Sequence, residues 1–398
     1  MSKNIFYSSQ TILLTGATGS LGGCVLFKLA TVLQARRIFV LVRDEVASAI
    51  SKWRTSMPQQ LEEMLISGCI TFIIGDMKLP DFGLDATTLE DLRAEVTIVI
   101  HAAANISLKS SLRQAMLENV VPALELGRMA GHFPNLISFV QISSAYACSF
   151  LPDGPVQETL FPIQDPSGIL QAILEGSNDD WGGYSWPYAR SKHLMEVLLS
   201  STFPKLPLLI VRPTSIGPAI DQPFQLYGPP GSIPLDTFFA GLFSLPGQTA
   251  VLPAANRSAT GANIVDEIPV DLVANILLQH IQLGTRGVVH ACSRDYVPKT
   301  MNQLIEELYD GTPRLYQKDL VKVKFTQNTT KELSRIAKLY CMSHRDWDFK
   351  NDKNKDLEGS GPLGMDLGHH DAVGFARRRI RKIWLSISHH EKGLPSRL

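Results

Sequence analysis

A tyrosine and a lysine stand four residues apart in Tyr188-Ala189-Arg190-Ser191-Lys192. On a helix that spacing sets a phenol and an ammonium one above the other on a single face. A neighbouring ammonium stabilises phenolate, so the spacing predicts a Tyr188 pKa drawn down from about 10 towards working pH. Such a phenol can give its proton to a carbonyl oxygen that is receiving a hydride. A Tyr-x-x-x-Lys pair also occurs on many surface helices. Two further features single this one out: Ser143-Ser144 at the end of the apolar run LISFVQI (136–142), and a glycine-rich turn near the start of the chain.

That turn is Gly16-Ala17-Thr18-Gly19-Ser20-Leu21-Gly22. It lies between a short β-branched run, TILLT (11–15), and a segment of helical periodicity with Leu21, Val25, Leu26, Leu29 and Leu33 on one face. Strand, glycine turn and helix in that order form a relative of the Rossmann Gly-x-Gly-x-x-Gly fingerprint. The glycines allow close approach of the backbone, so a pyrophosphate can rest on the free N–H groups of the helix N-terminus. Gly16, Thr18, Gly19, Ser20, Leu21 and Gly22 are therefore expected to hold a dinucleotide. Arg43 closes the next apolar run, IFVLVR, where such folds sort NAD from NADP. A guanidinium there forks onto a 2′-phosphate, which favours NADPH; in the competing reading Arg43 is a surface residue and Asp44 accepts from a ribose hydroxyl. Asp76 is placed to accept from an adenine amino group, or else to cap a helix. In His101-Ala102-Ala103-Ala104 the small side chains, Ala102 first, suit a backbone passing close to the cofactor; His101 receives no catalytic role. The oxidised nicotinamide would add a second positive charge near Tyr188.

Near-continuous apolar runs at 11–15, 38–43, 70–74, 96–100, 136–142, 207–211 and 287–291 alternate with helical stretches. They predict an α/β fold, a doubly wound parallel sheet covered on both faces, reaching about residue 295. Two excursions, 151–187 and 213–265, are too long for simple connections and are expected to build the substrate side. A smaller, mainly helical region follows at 296–398. Its helix at 371–388 sets Ala376, Ile380, Ile383, Trp384 and Ile387 on one face and the basic cluster Arg377, Arg378, Arg379, Arg381 and Lys382 largely elsewhere, as a solvated face or a membrane-surface contact. Lys+Arg 38 against Asp+Glu 38 gives no global field for nucleic acid. The five scattered cysteines form no Cys-x-x-Cys pair and no zinc spacing, so no metal and a reducing compartment are expected. No apolar run approaches the ~18 to 20 residues of a membrane-spanning helix. MSKNIFYSSQ lacks a secretory apolar core, and Ser396-Arg397-Leu398 is a conservative variant of the Ser-Lys-Leu peroxisomal address, or else a basic tail. The expected location is the peroxisome by way of its import receptor, with the cytoplasm as the alternative.

Glycine turn, Ser and Tyr-x-x-x-Lys, in that order, resemble the extended short-chain dehydrogenase/reductases. The resemblance implies that Ser144, with Ser143 as the fallback, hydrogen-bonds the substrate oxygen, that Tyr188 is the general acid, and that Lys192 binds the nicotinamide ribose and tunes the tyrosine. Asn119, in Glu118-Asn119-Val120, matches the family's supporting Asn, or else packs a helix. Within that family the chain is most similar to fatty acyl-CoA reductases and thioester reductase domains, through TGATGSLGG, FVLVR, GDM, HAAANIS, QISSAY, YARSK, Val211 to Thr214 and NIVDEIPVDLVAN. Pro213 and Thr214 join the cofactor-binding set on that basis. Trp347-Asp348-Phe349-Lys350-Asn351, Asp371 with Phe375, and Glu391-Lys392-Gly393-Leu394 look like an abridged C-terminal region of the alcohol-forming reductases. The activity implied is NADPH-dependent reduction of an acyl-CoA thioester to the aldehyde, and a second reduction to the primary alcohol. Two other readings are a reductase of a free carbonyl or alcohol and a non-enzymatic dinucleotide sensor; retention of Ser144, Tyr188 and Lys192 together argues against the last.

Overall fold

Apolar runs buried on both faces leave the backbone one way to satisfy its polar groups, which is to pair along a covered parallel sheet. The computed structural model describes residues 5–107, 109–254, 260–327, 334–341 and 345–391; Ser396-Arg397-Leu398 lies outside them. Its central sheet has seven strands: β1 (Thr11–Thr15), β2 (Arg37–Val42), β3 (Ile70–Ile74), β4 (Ile98–His101), β5 (Ser138–Ile142), β6 (Leu208–Pro213) and β7 (Gly287–Ala291). They run in the order β3-β2-β1-β4-β5-β6-β7, and every neighbouring pair is parallel. Thr15 lies level with both Leu41 and His101, so β1, β2 and β4 end at one edge. Strand order reverses between β1 and β4, which opens a crevice at that carboxyl edge, where doubly wound sheets bind their ligands.

Four helices bear on the site: α1 (Ser20–Phe27), α2 (Pro187–Thr202), α3 (Val270–Gln282) and α4 (Ala372–Glu391). The single apolar face expected of α1 is not what is found. Leu21 through Phe27 are all buried, because α1 lies between the sheet and α3 and is covered on every side.

Both excursions are tied to the C-terminal region by short parallel strands. Gly154–Val156 pairs with Trp347–Phe349, and Thr249–Pro253 pairs with Lys322–Thr326. Leu235, Phe239 and Leu252 from the second excursion share one apolar cluster with Leu304, Leu308 and Ile380. On α4 the side chains of Ala376, Ile380 and Ile383 are buried, while Arg377, Arg378, Arg381 and Lys382 are exposed. Arg379 departs from the solvated cluster expected of it. It is buried, with Nε 2.6 Å from Asp236 and a fork onto Glu267 at 2.6 and 2.8 Å. Two carboxylates facing α4 offset the cost of desolvating that charge. Among the described residues no helix is long and apolar enough to cross a membrane.

Candidate active site

Gly16 makes the turn after β1 at φ +73, and a Cβ there would lie 2.5 Å from the Ala103 nitrogen and 2.6 Å from the Ala102 carbonyl carbon. Backbone passes backbone at that point, so only glycine fits. A Cβ on Gly22 would overlap the carbonyl oxygen of Gly16. Gly19 is the N-cap of α1 and offers no side-chain cap, so the N–H groups of the first turn stay open to an anion. The hydroxyl of Ser20 in that turn is buried and has no hydrogen-bond partner among the described residues. A groove runs from this cradle across the edge of the sheet, lined by Gly16, Thr18 and Gly19, by Arg43, Asp44 and Lys52, and by Asp76 and Ala102. Ser20, Leu21 and Gly22 form the start of α1 beneath it. The cradle and the orphaned hydroxyl fit the pyrophosphate of a dinucleotide. Gly22→Ala should weaken dinucleotide binding by about tenfold or more, read by fluorescence titration, because the new methyl displaces the Gly16 carbonyl.

Among the described residues Arg43 forms no ion pair, and neither does Lys52, a groove-lining cation that sequence reasoning missed. Its only sequence signal is a lysine on the helix after β2, a pattern that surface helices share. Asp76 caps no helix: one carboxylate oxygen accepts from the Lys78 N–H at 3.0 Å within the loop, and the helix that follows, Pro80–Gly83, has Leu79 as its N-cap. The residue lines the groove. His101 is a satisfied core histidine. Its Nδ1 meets the Thr15 hydroxyl at 2.7 Å, and burial, followed by the nearby Lys192 charge, draws its pKa down to about 3.

Along α2 the residues Tyr188, Lys192 and Glu196 follow one another at successive turns of one face. The Ser144 hydroxyl accepts from the Tyr146 N–H at 3.2 Å and lies near enough to the Tyr188 phenol to draw its pKa down. Ser143, the alternative, lies near Glu196 and helps to lower its pKa, and its buried hydroxyl has no hydrogen-bond partner among the described residues. Lys192 is buried, donates to the Ile142 carbonyl at 2.9 Å, and lies 5.7 Å from the centroid of the Tyr188 ring. The depressed phenol pKa expected from the Tyr-Lys spacing is not found. Burial holds Tyr188 well above 10 despite the Ser144 hydroxyl beside it, because the ammonium addresses the ring face and a backbone carbonyl. The same burial draws Lys192 down to about 8, with Glu196 acting in the opposite direction. Tyr188 is thus a fully protonated acid at neutral pH, and Lys192 is the group that titrates nearby. Lys192 is charged below about pH 8, so kcat/KM for NADPH should be level there and fall about tenfold per unit above it. In Lys192→Met the same profile should lose that descending limb.

Asn119 is buried in a π-helical segment, Met116–Val120. Its Oδ1 accepts from the Asn105 N–H at 2.8 Å, and its Nδ2 donates to the Asn105 carbonyl and the Ser191 hydroxyl, each at 3.1 Å. It therefore ties the loop after β4 to α2. Pro213 ends β6 and Thr214 follows it, donating to the Ala291 carbonyl at 2.9 Å from its backbone and at 3.4 Å from its hydroxyl. Neither lines the groove; they lie at the carboxyl ends of β6 and β7. Next to Tyr188, Tyr146, Tyr184 and Trp186 form an aromatic cluster with Trp347, carried there by the strand Trp347–Phe349. The C-terminal region thus contributes a side chain to the surroundings of the acid.

The sequence model of the family described as male sterility protein matches residues 14–277. Human fatty acyl-CoA reductase 2 is 27% identical over 300 residues, covering 69% of this chain and 54% of that protein, so the chain spans about half the length of this relative. The terminal R domain from the myxalamid PKS-NRPS biosynthetic pathway has a TM-score of 0.66 and 18% identity, covering 97% of this chain and 92% of that one. A yeast methylglyoxal/isovaleraldehyde reductase complexed with NADPH has a TM-score of 0.59 and 14% identity, covering 96% and 99%. At such identities the structural likenesses speak for the fold. The family match runs from β1 into α3, through both excursions and every strand but β7, and by that extent the chain belongs to the male sterility protein family.

Proposed function

We propose that the protein is an NADPH-dependent oxidoreductase that reduces an acyl-CoA thioester to the aldehyde and then to the primary alcohol. The observation that carries this reading is the protonated Tyr188 phenol, beside Ser144 and one helical turn from Lys192, at the edge that also holds the glycine cradle. The cofactor-binding residues are Gly16, Thr18, Gly19, Ser20, Leu21, Gly22, Arg43, Asp76, Ala102, Tyr188, Lys192, Pro213 and Thr214, with Lys52 added from the groove. A bound nicotinamide dinucleotide would supply the hydride. Tyr188 gives its proton to the carbonyl oxygen and Ser144 donates a hydrogen bond to it, so the negative charge that develops there is held as it forms. The resulting hemithioacetal collapses to aldehyde and free thiol, its hydroxyl proton passing to the leaving sulfur. After Tyr188 regains a proton from solvent, and with a second NADPH in place of the oxidised cofactor, the same acid serves a second reduction. In this reading residues 1–295 bind the cofactor, and 296–398, with the two excursions, enclose the acyl group. The human relative, a fatty acyl-CoA reductase by name, supports the thioester as substrate.

The test is NADPH consumption by the purified protein with a panel of acyl-CoAs, the products being separated and identified. Alcohol with two NADPH per acyl group is the expected result. Aldehyde with one would make it an aldehyde-releasing reductase, and turnover of free aldehydes alone would replace the thioester by a free carbonyl. Arg43→Glu should weaken NADPH by about tenfold to a hundredfold and NADH far less, since charge-assisted hydrogen bonds contribute about 1.5–3 kcal/mol. Equal losses for both cofactors would mean that the 2′-phosphate is read elsewhere.

A further inference from the structure

Arg190 lies two residues beyond Tyr188 on α2, and its side chain leaves the helix on a different face from the Tyr188, Lys192 and Glu196 stripe. It is 8% exposed. Its guanidinium forms no hydrogen bond and no ion pair among the described residues, and its Nη1 is wholly buried. Buried guanidinium groups are as a rule paired, because an uncompensated charge in a protein interior costs several kcal/mol. One turn earlier, at the N-cap of the same helix, Trp186 is also buried, and its indole N–H also lacks an acceptor. Trp186 stands in extended backbone four positions before Arg190, and its carbonyl accepts from the Arg190 N–H at 3.4 Å. Two orphaned donors at the N-terminal turn of a 16-residue helix therefore add to the partial positive charge that the helix end carries.

The surroundings place these donors beside the acid. A Cβ built on Gly182 would lie 3.7 Å from the Tyr184 ring and 3.8 Å from the Arg190 guanidinium carbon, so Gly182, Tyr184 and Arg190 meet at one point. Tyr184 and Trp186 belong to the aromatic cluster that packs on Tyr188. Gly182 and Gly183 both have positive φ, +60 and +82, so the chain turns over the guanidinium where a side chain would be strained.

We propose that Arg190 and Trp186 form an anion subsite at the start of α2 that takes one singly charged oxygen group of the thioester substrate. The charge balance sets the class: one cation with no carboxylate paired to it is neutralised by one singly charged oxygen group. A carboxylate and one phosphoryl unit of a pyrophosphate diester, each bearing a single charge, share this chemistry. The first would be borne by the acyl group, and the second belongs to the pyrophosphate that joins the pantetheine arm of CoA to its nucleotide. The subsite orients the substrate through binding and takes no part in proton transfer.

The inference rests on the thioester reading, and the experiment separates the two. Hexanoyl-CoA, hexanoyl-N-acetylcysteamine and glutaryl-N-acetylcysteamine are compared as substrates of the wild type, Arg190→Met, Arg190→Lys and Trp186→Phe. If the pyrophosphate is the ligand, Arg190→Met raises KM about tenfold or more for hexanoyl-CoA alone, with kcat little changed; Arg190→Lys restores part of it and Trp186→Phe loses less. If the carboxylate is the ligand, the same selective loss appears for the glutaryl thioester alone. Equal KM changes for charged and uncharged thioesters, or none, would overturn the subsite. In parallel, CoA, pantetheine and glutarate are titrated calorimetrically into the NADPH-saturated protein. Weaker CoA or glutarate binding in Arg190→Met, with pantetheine unaffected, supports the subsite even where the wild type turns over no thioester, and that second result would count against the thioester reading alone.

Discussion

Tyr188→Phe should lower reduction by roughly 10² to 10⁴-fold, the usual contribution of a positioned general acid, while leaving NADPH affinity within about twofold of the wild type. The phenol is the acidic group beside Ser144, and burial keeps it protonated, so removing one oxygen removes the proton and half of the pair proposed to stabilise the oxyanion. Steady-state NADPH oxidation with an acyl-CoA reads the loss, and fluorescence titration reads the binding. Ser144→Ala should have a smaller effect in the same direction, because Tyr188 can still donate. Neither titratable neighbour named above replaces the acid. His101 is drawn down to about 3 and is not an imidazolium at neutral pH, and Lys192 is committed to the Ile142 carbonyl. Turnover by Tyr188→Phe within about threefold of the wild type would remove the acid from its assigned role.

Where the chain is organised locally, the sequence is a good guide. TILLT, the runs at 70–74 and 287–291, and the glycine turn appear in the fold where their patterns put them, because a buried parallel strand needs only a continuous apolar run and a glycine turn needs only its glycines. The family resemblance carried by TGATGSLGG and YARSK is met by the match over 14–277. What was not legible depends on partners distant in the chain. Gly154–Val156 carries no strand signal of its own and becomes one only because Trp347–Phe349 pairs with it. Arg379 reads as one more residue of a basic run until Asp236 and Glu267 are folded against it. The pKa shifts fall in the same class. The spacing of Tyr188 and Lys192 says that they are neighbours, but only the packing decides that burial outweighs their mutual attraction.

Glu196 and Arg212 show most sharply how much this packing carries, and Arg212→Met should destabilise the protein by about 3–5 kcal/mol, seen as a lower urea midpoint. Both side chains are completely buried, and the guanidinium forks onto the carboxylate at 2.9 and 2.6 Å. Its third contact, 3.0 Å to the Thr159 carbonyl, pins the first excursion as well. Removing Arg212 leaves a carboxylate in the interior without its hydrogen-bonded counter-ion, and that stranded charge is the source of the loss. Arg212→Met combined with Glu196→Met should therefore recover most of the stability, because a desolvated pair and an apolar pair of similar volume are of comparable worth. A double variant as unstable as the single one would mean that packing, and not charge, sets the loss. The pair also reaches the chemistry. Glu196 lies one turn beyond Lys192 and raises its pKa, so Glu196→Gln should shift the descending limb of the pH profile below its position near pH 8. Arg212→Lys, which keeps a countercharge beside Glu196, should move that limb much less. One stripe of α2 thus joins the acid, the titrating lysine and a buried ion pair to β6, and a change at its far end is expected to be felt as both stability and pH dependence.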